Sequence, residues 1–390
     1  MSERIRKERR EQRMQTKEAV KRVWLRKRTL LLLLVPLGIL LLEIAKRNAF
    51  FAEEIFAKRI YKVFSICVSF LTGWLPFSLA EWIILLAPVL MFVLIVLFVR
   101  RIRRAQDGRN TVFAACMNGI LNLACTISVI FFVYAIGCGI NYYRYPVASY
   151  LGLEVQESTE EELKGLFTEL AKAAASLREE LTSEDENGVY QLPMTKEELG
   201  RLAAEAYESF AEEYDIFAGY YPKPKQVMLS RLMSYTQITG VYTCWTMEAN
   251  VNVDISPYSI ASTMCHELSH LRGFMREDEA NYLSYRVCMA SDSKDVRYSG
   301  VMHALIHTGN ALYRRNPEAY YEIVDKCYSI GMRRDLVANS EYWKQFEHTK
   351  IAETSEKLND SYLKANNQAD GTQSYGRVVD LLLAEYRQRK

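Results

Sequence analysis

Three long runs of apolar residues in the first 140 positions restrict the folds open to this chain more than any other feature. They cover residues 29–45, 82–99 and 111–140, and the last two contain no charged residue. A helix needs roughly 20 apolar residues to cross the hydrocarbon core of a bilayer. We therefore expect a membrane region over residues 29–140 that contains about three transmembrane helices.

The charged residues divide the chain into a basic part and an acidic part. Residues 1–139 contain 22 Lys and Arg against 9 Asp and Glu, whereas residues 140–390 contain 27 against 38. Basic segments stay on the cytoplasmic side of a membrane, which places residues 1–28 and the arginines at 100–104 there. Three crossings then leave residues 141–390 outside as an extracytoplasmic domain. This pattern predicts a multi-pass cell-membrane protein that contacts lipid and, because its large domain is acidic, does not bind nucleic acid.

A fourth apolar stretch leaves an alternative open. Residues 63–80 carry no charge, but Gly73 and Pro76 interrupt the stretch and three serines dilute it. If this stretch crossed the bilayer, the large domain would lie in the cytoplasm. We interpret residues 60–80 as a helix partly embedded in the outer leaflet, which keeps the count at three crossings.

The HExxH sequence at residues 266–270 is the strongest chemical signal in the chain. On a helix, positions i and i+4 lie on one face, so His266 and His270 can bind one cation together. Glu267 lies beside that face and can take a proton from metal-bound water. The motif predicts a zinc ion held by the two histidines, with Glu267 as the catalytic base.

A third zinc ligand is expected shortly after the motif, since a catalytic zinc usually has three protein ligands and one open position. Gly273 can end the motif helix in a left-handed conformation and turn the chain back. A second helix is then expected to begin near Arg276, and its first turn carries the acids Glu277, Asp278 and Glu279. The residues alone leave open which acid faces the imidazoles.

The pattern Glu277-x-x-Ala280-Asn281 resembles the ExxA(D/N) element that follows HExxH in several gluzincin peptidase families. That resemblance implies that Glu277 is the third ligand, with Glu279 as the alternative. The separation from His270 is shorter than in the thermolysin type.

The longer string at residues 265–281 is similar to a more specific group, the bacterial membrane family of domain of unknown function 3810. The resemblance covers most of the chain from about residue 30 and implies a membrane-anchored fold that bears HExxH. It supplies no substrate. Further stretches that match this family lie at residues 75–78, 141–144, 248–252 and 374–381.

The domain at 141–390 is expected to be mainly α, a zincin-like α+β fold with a small sheet. Helical spacing of apolar residues predicts helices over 160–181 and 196–214, and β-branched and aromatic residues predict strands within 226–254. In zincins an edge strand before the motif helix lines the substrate groove. The run at 242–253 is the candidate for that strand, and a plain sheet edge is an equal alternative.

These features predict a membrane-anchored zinc metallopeptidase that hydrolyses a peptide or protein substrate outside the cytoplasm. The alternative is a non-catalytic membrane receptor or scaffold with a structural or degenerate zinc site, although an intact Glu267 favours the enzyme. Six residues are candidates to stabilise the oxyanion or contact the substrate: His303, His307, Tyr282, Tyr285, Tyr298 and Asn250. For the two histidines, simple packing is the alternative.

Four cysteines lie in the extracytoplasmic half, at positions 244, 265, 288 and 327. One or two disulfides are possible there, and the sequence does not give their connectivity. No CxxC pair occurs in the chain, so a zinc site built from cysteines is not expected.

Overall fold

The structure, a computed structural model, describes Met14 and residues 27–104, 108–366 and 377–390. The predicted basic segment at 1–28 therefore lies almost entirely outside the described residues. The described chain is mostly helical with one three-stranded sheet, which confirms the mainly α class. It divides into two compact units, one of Met1–Arg47 with Ala80–Ile136 and the other of Asn48–Leu79 with Gly137–Lys390. We call these the first and the second unit.

The helices and strands are numbered along the chain. The α-helices are α1 (Leu34–Arg47), α2 (Lys62–Gly73), α3 (Leu79–Arg104), α4 (Gly108–Gly137), α5 (Val147–Leu151), α6 (Glu160–Glu180), α7 (Lys196–Glu213), α8 (Ser230–Tyr235), α9 (Pro257–Leu271), α10 (Glu277–Met289), α11 (Lys294–Arg315), α12 (Pro317–Cys327), α13 (Ile330–Lys344), α14 (Lys350–Ala365) and α15 (Val378–Gln388). The strands are β1 (Lys225–Gln226), β2 (Gly240–Thr243) and β3 (Glu248–Val251). Short 3₁₀ helices cover Lys27–Leu33, Gly139–Tyr143 and Asp215–Phe217, and Phe51–Tyr61 is a π-helix.

Three helical segments of the described chain are long and apolar enough to cross a bilayer, and they cover Lys27–Arg47, Leu79–Arg100 and Val112–Tyr143. They cover nearly all residues of the three predicted runs, which confirms three candidate spans. The orientation of these spans stays a prediction. Within the first unit, the Ser128 hydroxyl donates to the Leu31 carbonyl oxygen over 2.7 Å.

The fourth apolar stretch is not among these candidate spans. Its helix, α2, continues directly from the π-helix Phe51–Tyr61, whose first and last turns carry Glu53, Glu54, Lys58 and Arg59. The chain then turns at residues 74–78, where Pro76 cannot continue a helix. Whether this stretch contacts or crosses the bilayer is not tested by the structure, so its partly embedded position stays a prediction.

The small sheet has the order β1-β3-β2. Strand β3 is central and buried along its whole length, parallel to β1 and antiparallel to β2. The single edge strand predicted over 242–253 is wrong, because the chain turns between β2 and β3, where Met247 has φ +51°. The strand at the sheet edge is β2 alone.

The helices of the second unit begin and end where local chemistry favours it. Thr159 and Glu162 form a capping box at the start of α6, and Thr195 and Glu198 form another at the start of α7. Both helices agree with the predicted bounds to within one residue. Helices α6, α7, α9, α10 and α11 pack together, so the HExxH motif on α9 lies in the core of this unit.

All eight cysteines are free in the structure. Among those expected outside the cytoplasm, Cys265 on α9 and Cys288 on α10 are buried, with their sulfur atoms 3.6 Å apart. Contact between these two thiols joins the helix of the motif to the helix that follows it.

Candidate metal centre

Helix α9 presents its histidines at the end of a row with a spacing of four. Pro257 begins the helix with a φ that suits its first turn. Tyr258, Ser262, His266 and His270 then follow one another on the same face. The row leads from one end of the helix to the other and faces the cavity described below.

The end of α9 is a Schellman motif around a left-handed glycine. Gly273 has φ +88°, as predicted, and its N–H donates to the His270 carbonyl over 2.9 Å. The N–H of Phe274 donates to the Ser269 carbonyl over 3.1 Å. These two hydrogen bonds cap the helix and reverse the chain, so that α10 begins at Glu277.

The reversal brings three ligand atoms together. Nε2 of His266 lies 3.0 Å from Nε2 of His270. Oε2 of Glu277 lies 3.3 Å from the first nitrogen, and its Oε1 lies 3.6 Å from the second. These atoms form a cluster in which every pair is within 4.8 Å. Among the described residues this is the group of histidine, cysteine and acidic side chains arranged to hold a metal ion.

Neighbouring groups fix the orientation of both imidazoles. Nδ1 of His270 donates to the carbonyl oxygen of Phe274 over 2.8 Å, which leaves the Nε2 lone pair facing the cluster. The Asn281 side chain hydrogen bonds to His266. Since Nδ2 of Asn281 has no partner among the described residues, its amide oxygen is the acceptor. Both histidines are thus held as metal ligands usually are.

The alternative third ligand points elsewhere. Oε1 of Glu279 accepts the backbone N–H of Val147 over 2.9 Å and lies 3.6 Å from Nη1 of Arg276. Burial, the largest cause, raises the pKa of Glu279 to about 7 against the opposing charge of Arg276. The geometry therefore favours Glu277 over Glu279 as a candidate ligand.

Glu267 is buried between α9 and the edge strand. The backbone N–H of Tyr242 on β2 donates to its carboxylate, and the other oxygen, Oε2, has no hydrogen-bond partner among the described residues. Gly240 leaves the room that this side chain occupies, because a Cβ there would lie 2.8 Å from Cγ of Glu267. Contact with β2 therefore restricts the position of the Glu267 side chain.

Burial and charge shift the three titratable groups of the motif in different directions. Burial raises the pKa of Glu267 to about 8, the charge of His266 opposes this, and that of Glu277 adds to it. Burial also lowers the pKa of His270 to about 4. For His266 burial lowers the pKa, but the hydrogen bond and charge of Glu277 outweigh it, so the pKa is raised. Glu277 thus opposes the effect of burial on both histidines and adds to it on Glu267.

A cavity of about 530 Å³ contains the cluster. Helix α11 contributes His303 and His307, whose ring centroids are 4.7 Å apart, and α14 contributes Asn359 and Tyr362. Nε2 of His303 is buried and has no hydrogen-bond partner within the described chain. The structure thus brings the second histidine pair to the same cavity as the first. No acidic side chain joins this pair in a metal-binding group within the described residues.

Four other residues predicted to contact the substrate or oxyanion do not line the cavity. Tyr282 donates to Glu385 over 2.9 Å, and Tyr298 donates to Asp335 over 2.7 Å. Asn250 lies within the sheet, where its amide donates to Thr243 over 3.0 Å.

Tyr285, the fourth of these, is buried, and its pKa is raised by burial and by the nearby carboxylate of Glu385. It occurs on the same helix as Glu277 but is absent from the cavity wall. Helical periodicity predicted that Tyr285 lies on a helix, but it did not show which element packs against the face that carries this residue.

Sequence reasoning assigned no role to several residues of the cavity wall, among them Tyr258, Asn281 and Tyr362. Tyr258 and Asn281 are buried, and each has a polar atom without a partner in the described chain. Tyr258 lies eight residues before His266 and Asn281 four residues after Glu277, so helical spacing could have found both. Tyr362 gives no such signal, because it lies far along the chain on a helix of its own.

The residues present fit a zinc ion. Two imidazole nitrogens and one carboxylate are a donor set that catalytic zinc takes, with Zn–N distances of about 2.0 Å and tetrahedral angles. Those values require nitrogens about 3.3 Å apart, close to the 3.0 Å between Nε2 of His266 and Nε2 of His270. The unpartnered Oε2 of Glu267 adds a buried acceptor beside this cluster.

The fold and the cluster define a mostly helical protein with three candidate membrane spans and a two-histidine, one-carboxylate site. Residues 56–383 match the family described as "Protein of unknown function (DUF3810)", and the chain belongs to that family. The resemblance predicted from the motifs is confirmed to this extent. Neither the comparison with curated proteins nor that with solved structures gave a significant match.

Proposed function

We propose that this protein is a membrane-anchored zinc metallopeptidase that hydrolyses peptide bonds outside the cytoplasm, and that its second unit is zincin-like. One observation carries the proposal. A cluster that fits zinc lies in a cavity beside a buried carboxylate, Glu267, whose Oε2 has no hydrogen-bond partner among the described residues. A purely structural metal site has no use for such a base.

His266, His270 and Glu277 would hold the zinc ion. When bound, zinc acts as a Lewis acid that acidifies a coordinated water and polarises a peptide carbonyl. The hydrogen bond from His270 to Phe274 and that from His266 to Asn281 would keep both rings in the tautomer that binding requires.

Glu267 would move the proton. Its Oε2 can accept a proton from the attacking water and donate it to the leaving amine, which is the role of a general base that becomes a general acid. Its contact with β2 keeps the carboxylate in place between the cluster and the strand.

The edge strand β2 would bind the substrate main chain. Residues Gly240 and Tyr242 line the cavity, and β2 pairs with β3 on its other side. An extended peptide can add to such an edge through backbone hydrogen bonds. The substrate would then lie along the wall that contains Glu267.

Other groups that line the cavity would meet the developing negative charge. His303 and His307 lie on α11, and Tyr258 and Asn281 have unpartnered polar atoms in the same cavity. A hydroxyl or an amide N–H donates to an oxyanion without a change of protonation state. Tyr258 and Asn281 are therefore better suited to this role than the two buried histidines.

Metal content and activity together test the proposal. The purified full chain should contain one zinc ion, and His270→Ala should lose it, whereas His348→Asn, at an exposed position with φ +56°, should keep it. Glu267→Gln should keep zinc and lose cleavage of a broad peptide library, and Glu341→Gln, an exposed control, should keep both. Zinc without Glu267-dependent cleavage would instead favour a receptor or scaffold, and absence of zinc would refute the site.

A further inference from the structure

Helix α2 buries its polar residues and exposes its apolar ones, the opposite of a helix on a water-exposed surface. Ser65 and Ser69 are fully buried, while Val63 and Leu71 are 61% and 70% exposed. Each serine hydroxyl donates to a carbonyl of its own helix, and so does that of Thr72. Small polar residues inside and large apolar residues outside are the arrangement of a helix in contact with lipid.

The chain joins the second unit to the candidate spans at three points. One span ends at Arg47 and the next begins at Leu79, so α2 lies between them in the chain. The third span, Val112–Tyr143, enters the second unit at Gly137. Trp74, five residues before Leu79 in the turn after α2, is 76% exposed, and tryptophan prefers the membrane interface.

The turn between β2 and β3 lies against two of these points. The backbone N–H of Leu79 donates to Glu248 at the start of β3 over 3.0 Å. Gly137 packs against Cys244, since a Cβ on this glycine would lie 3.0 Å from the Cys244 carbonyl oxygen. Trp245 follows at the tip of the turn and is 49% exposed. This tip therefore lies beside Leu79 and Gly137, the residues at which the chain leaves and re-enters the second unit.

Strand β2 leads from that tip to the metal centre. Cys244 lies against Gly137, and Gly240, at the other end of the strand, lies against Glu267. Four residues of extended chain cover about 13 Å at roughly 3.4 Å per residue. A peptide paired with β2 would therefore extend from the membrane interface to the cluster in about four residues.

We infer that the substrate is the extracytoplasmic juxtamembrane segment of a membrane-anchored protein, bound along β2 and cleaved about four residues from the bilayer. Trp245 and the apolar face of α2 contact the lipid. This inference rests on the proposed peptidase function, which it deepens by naming the substrate class. A soluble peptide without a membrane anchor is then a poor substrate.

Lipid contact can be tested without any activity. The full chain, reconstituted in phosphatidylethanolamine and phosphatidylglycerol vesicles, carries a benzophenone amino acid in place of Trp245, Leu71 or Ile330. Ile330 on α13 is a matched control, apolar and 71% exposed but far along the chain from the three points. Phospholipid adducts in mass spectrometry are expected at Trp245 and Leu71 and absent at Ile330. Equal labelling at all three positions, or none at Trp245, overturns the lipid contact.

The substrate class is tested with two peptide libraries of one composition. In one, a random 24-residue extension follows a leucine-rich span in the same vesicles; in the other, the extension is free in solution. Cleavage is expected chiefly in the anchored library and within about three to six residues of the span, and Trp245→Glu should lower it at least tenfold while Ile330→Glu leaves it unchanged.

The outcomes separate the two proposals. Glu267-dependent cleavage that is uniform along the extension, or as fast in the free library, overturns the juxtamembrane substrate and leaves the peptidase standing. If neither library shows Glu267-dependent cleavage, the peptidase proposal fails and this substrate class fails with it.

Discussion

The carbonyl oxygen of Phe274 accepts a hydrogen bond from Nδ1 of His270 over 2.8 Å. The contact depends on the residue between them in the turn, Gly273, whose φ of +88° reverses the chain after α9. One glycine thus caps the motif helix, orients a candidate zinc ligand and directs the chain toward Glu277. A single backbone conformation links the local sequence to the geometry of the whole cluster.

Gly273→Ala should weaken both folding and zinc binding. A side chain at this φ costs about 1–2 kcal/mol, and its Cβ would lie 3.0 Å from Nη1 of Arg144 and from Cε1 of Tyr61. We expect a lower Tm of the detergent-solubilised chain and a weaker zinc affinity in a chelator competition. Gly200→Ala is the control, because that glycine lies within α7 and its Cβ would meet only ordinary contacts. Equal behaviour of the two variants would refute the role of this turn.

Asn281→Leu should lower zinc affinity about 10- to 100-fold, since partners that orient a ligand histidine typically contribute that much. Asn281→Asp keeps an acceptor oxygen for His266 and should retain most of the affinity. Asn310→Ala, an exposed site on α11, should change nothing. The measurement is competition with a chromophoric zinc chelator. If Leu and Asp at position 281 have the same effect, the hydrogen bond to His266 does not orient the ring.

Gly240→Ala should impair catalysis without loss of metal. Its Cβ would lie 2.8 Å from Cγ and 2.9 Å from Cδ of Glu267, so the carboxylate must move. Because a positioned general base contributes on the order of 10²- to 10⁴-fold, we expect kcat to fall about 10²-fold. Val241→Ala, at the next and exposed position of β2, serves as the control. Zinc content by elemental analysis should match that of the wild type in both variants, and a loss of zinc in Gly240→Ala would contradict this account.

The sequence predicted those parts of the site that depend on local signals. The two capping boxes fix the starts of α6 and α7, and Gly273 fixes the turn between the motif helix and Glu277. Each of these signals lies within a few residues of the feature that it determines. Contacts between distant residues left no such signal. Tyr61 donates to the Leu271 carbonyl over 3.1 Å from 210 residues away, and residues 48–79 thereby belong to the unit that holds the cluster. The boundary predicted at residue 141 could not include them.

The edge strand shows a different limit. The β-branched and aromatic residues over 242–253 were compatible with one strand, because the turn at 244–247 contains no glycine or proline. Met247 takes a positive φ that its residue type does not favour, so only tertiary contacts could specify it. Which strand forms the edge therefore depended on packing against β1 and α9.

Glu53 and Arg144 form a buried ion pair that contacts the turn after the motif helix. Nε and Nη2 of Arg144 donate to the two carboxylate oxygens over 2.9 and 3.0 Å, and both side chains are almost fully buried. Nη1 of Arg144 donates to the Arg272 carbonyl over 3.1 Å, and the guanidinium lies 4.3 Å from the centre of the Phe274 ring. The pair thus holds both residues that flank Gly273.

Arg144→Ala should lower the free energy of unfolding by about 3–5 kcal/mol, because it leaves the Glu53 charge buried and unpaired. The double variant Glu53→Gln with Arg144→Met removes both charges and should lose less. A double variant that is no more stable than Arg144→Ala would show that the lost packing, and not the unpaired charge, dominates.

The same pair gives the pH dependence a definite sign. Burial raises the pKa of Glu53, but the hydrogen bond and charge of Arg144 outweigh it, so the folded pKa is below the usual value of 4.5. A depressed carboxyl pKa contributes stability that is fully present above the unfolded value and is lost as the pH falls through the folded value. Below pH 4.5 the Tm of the wild type should therefore fall more steeply than that of the double variant, which lacks this carboxyl group. Parallel curves for the two proteins would mean that the pair contributes no pH-dependent stability.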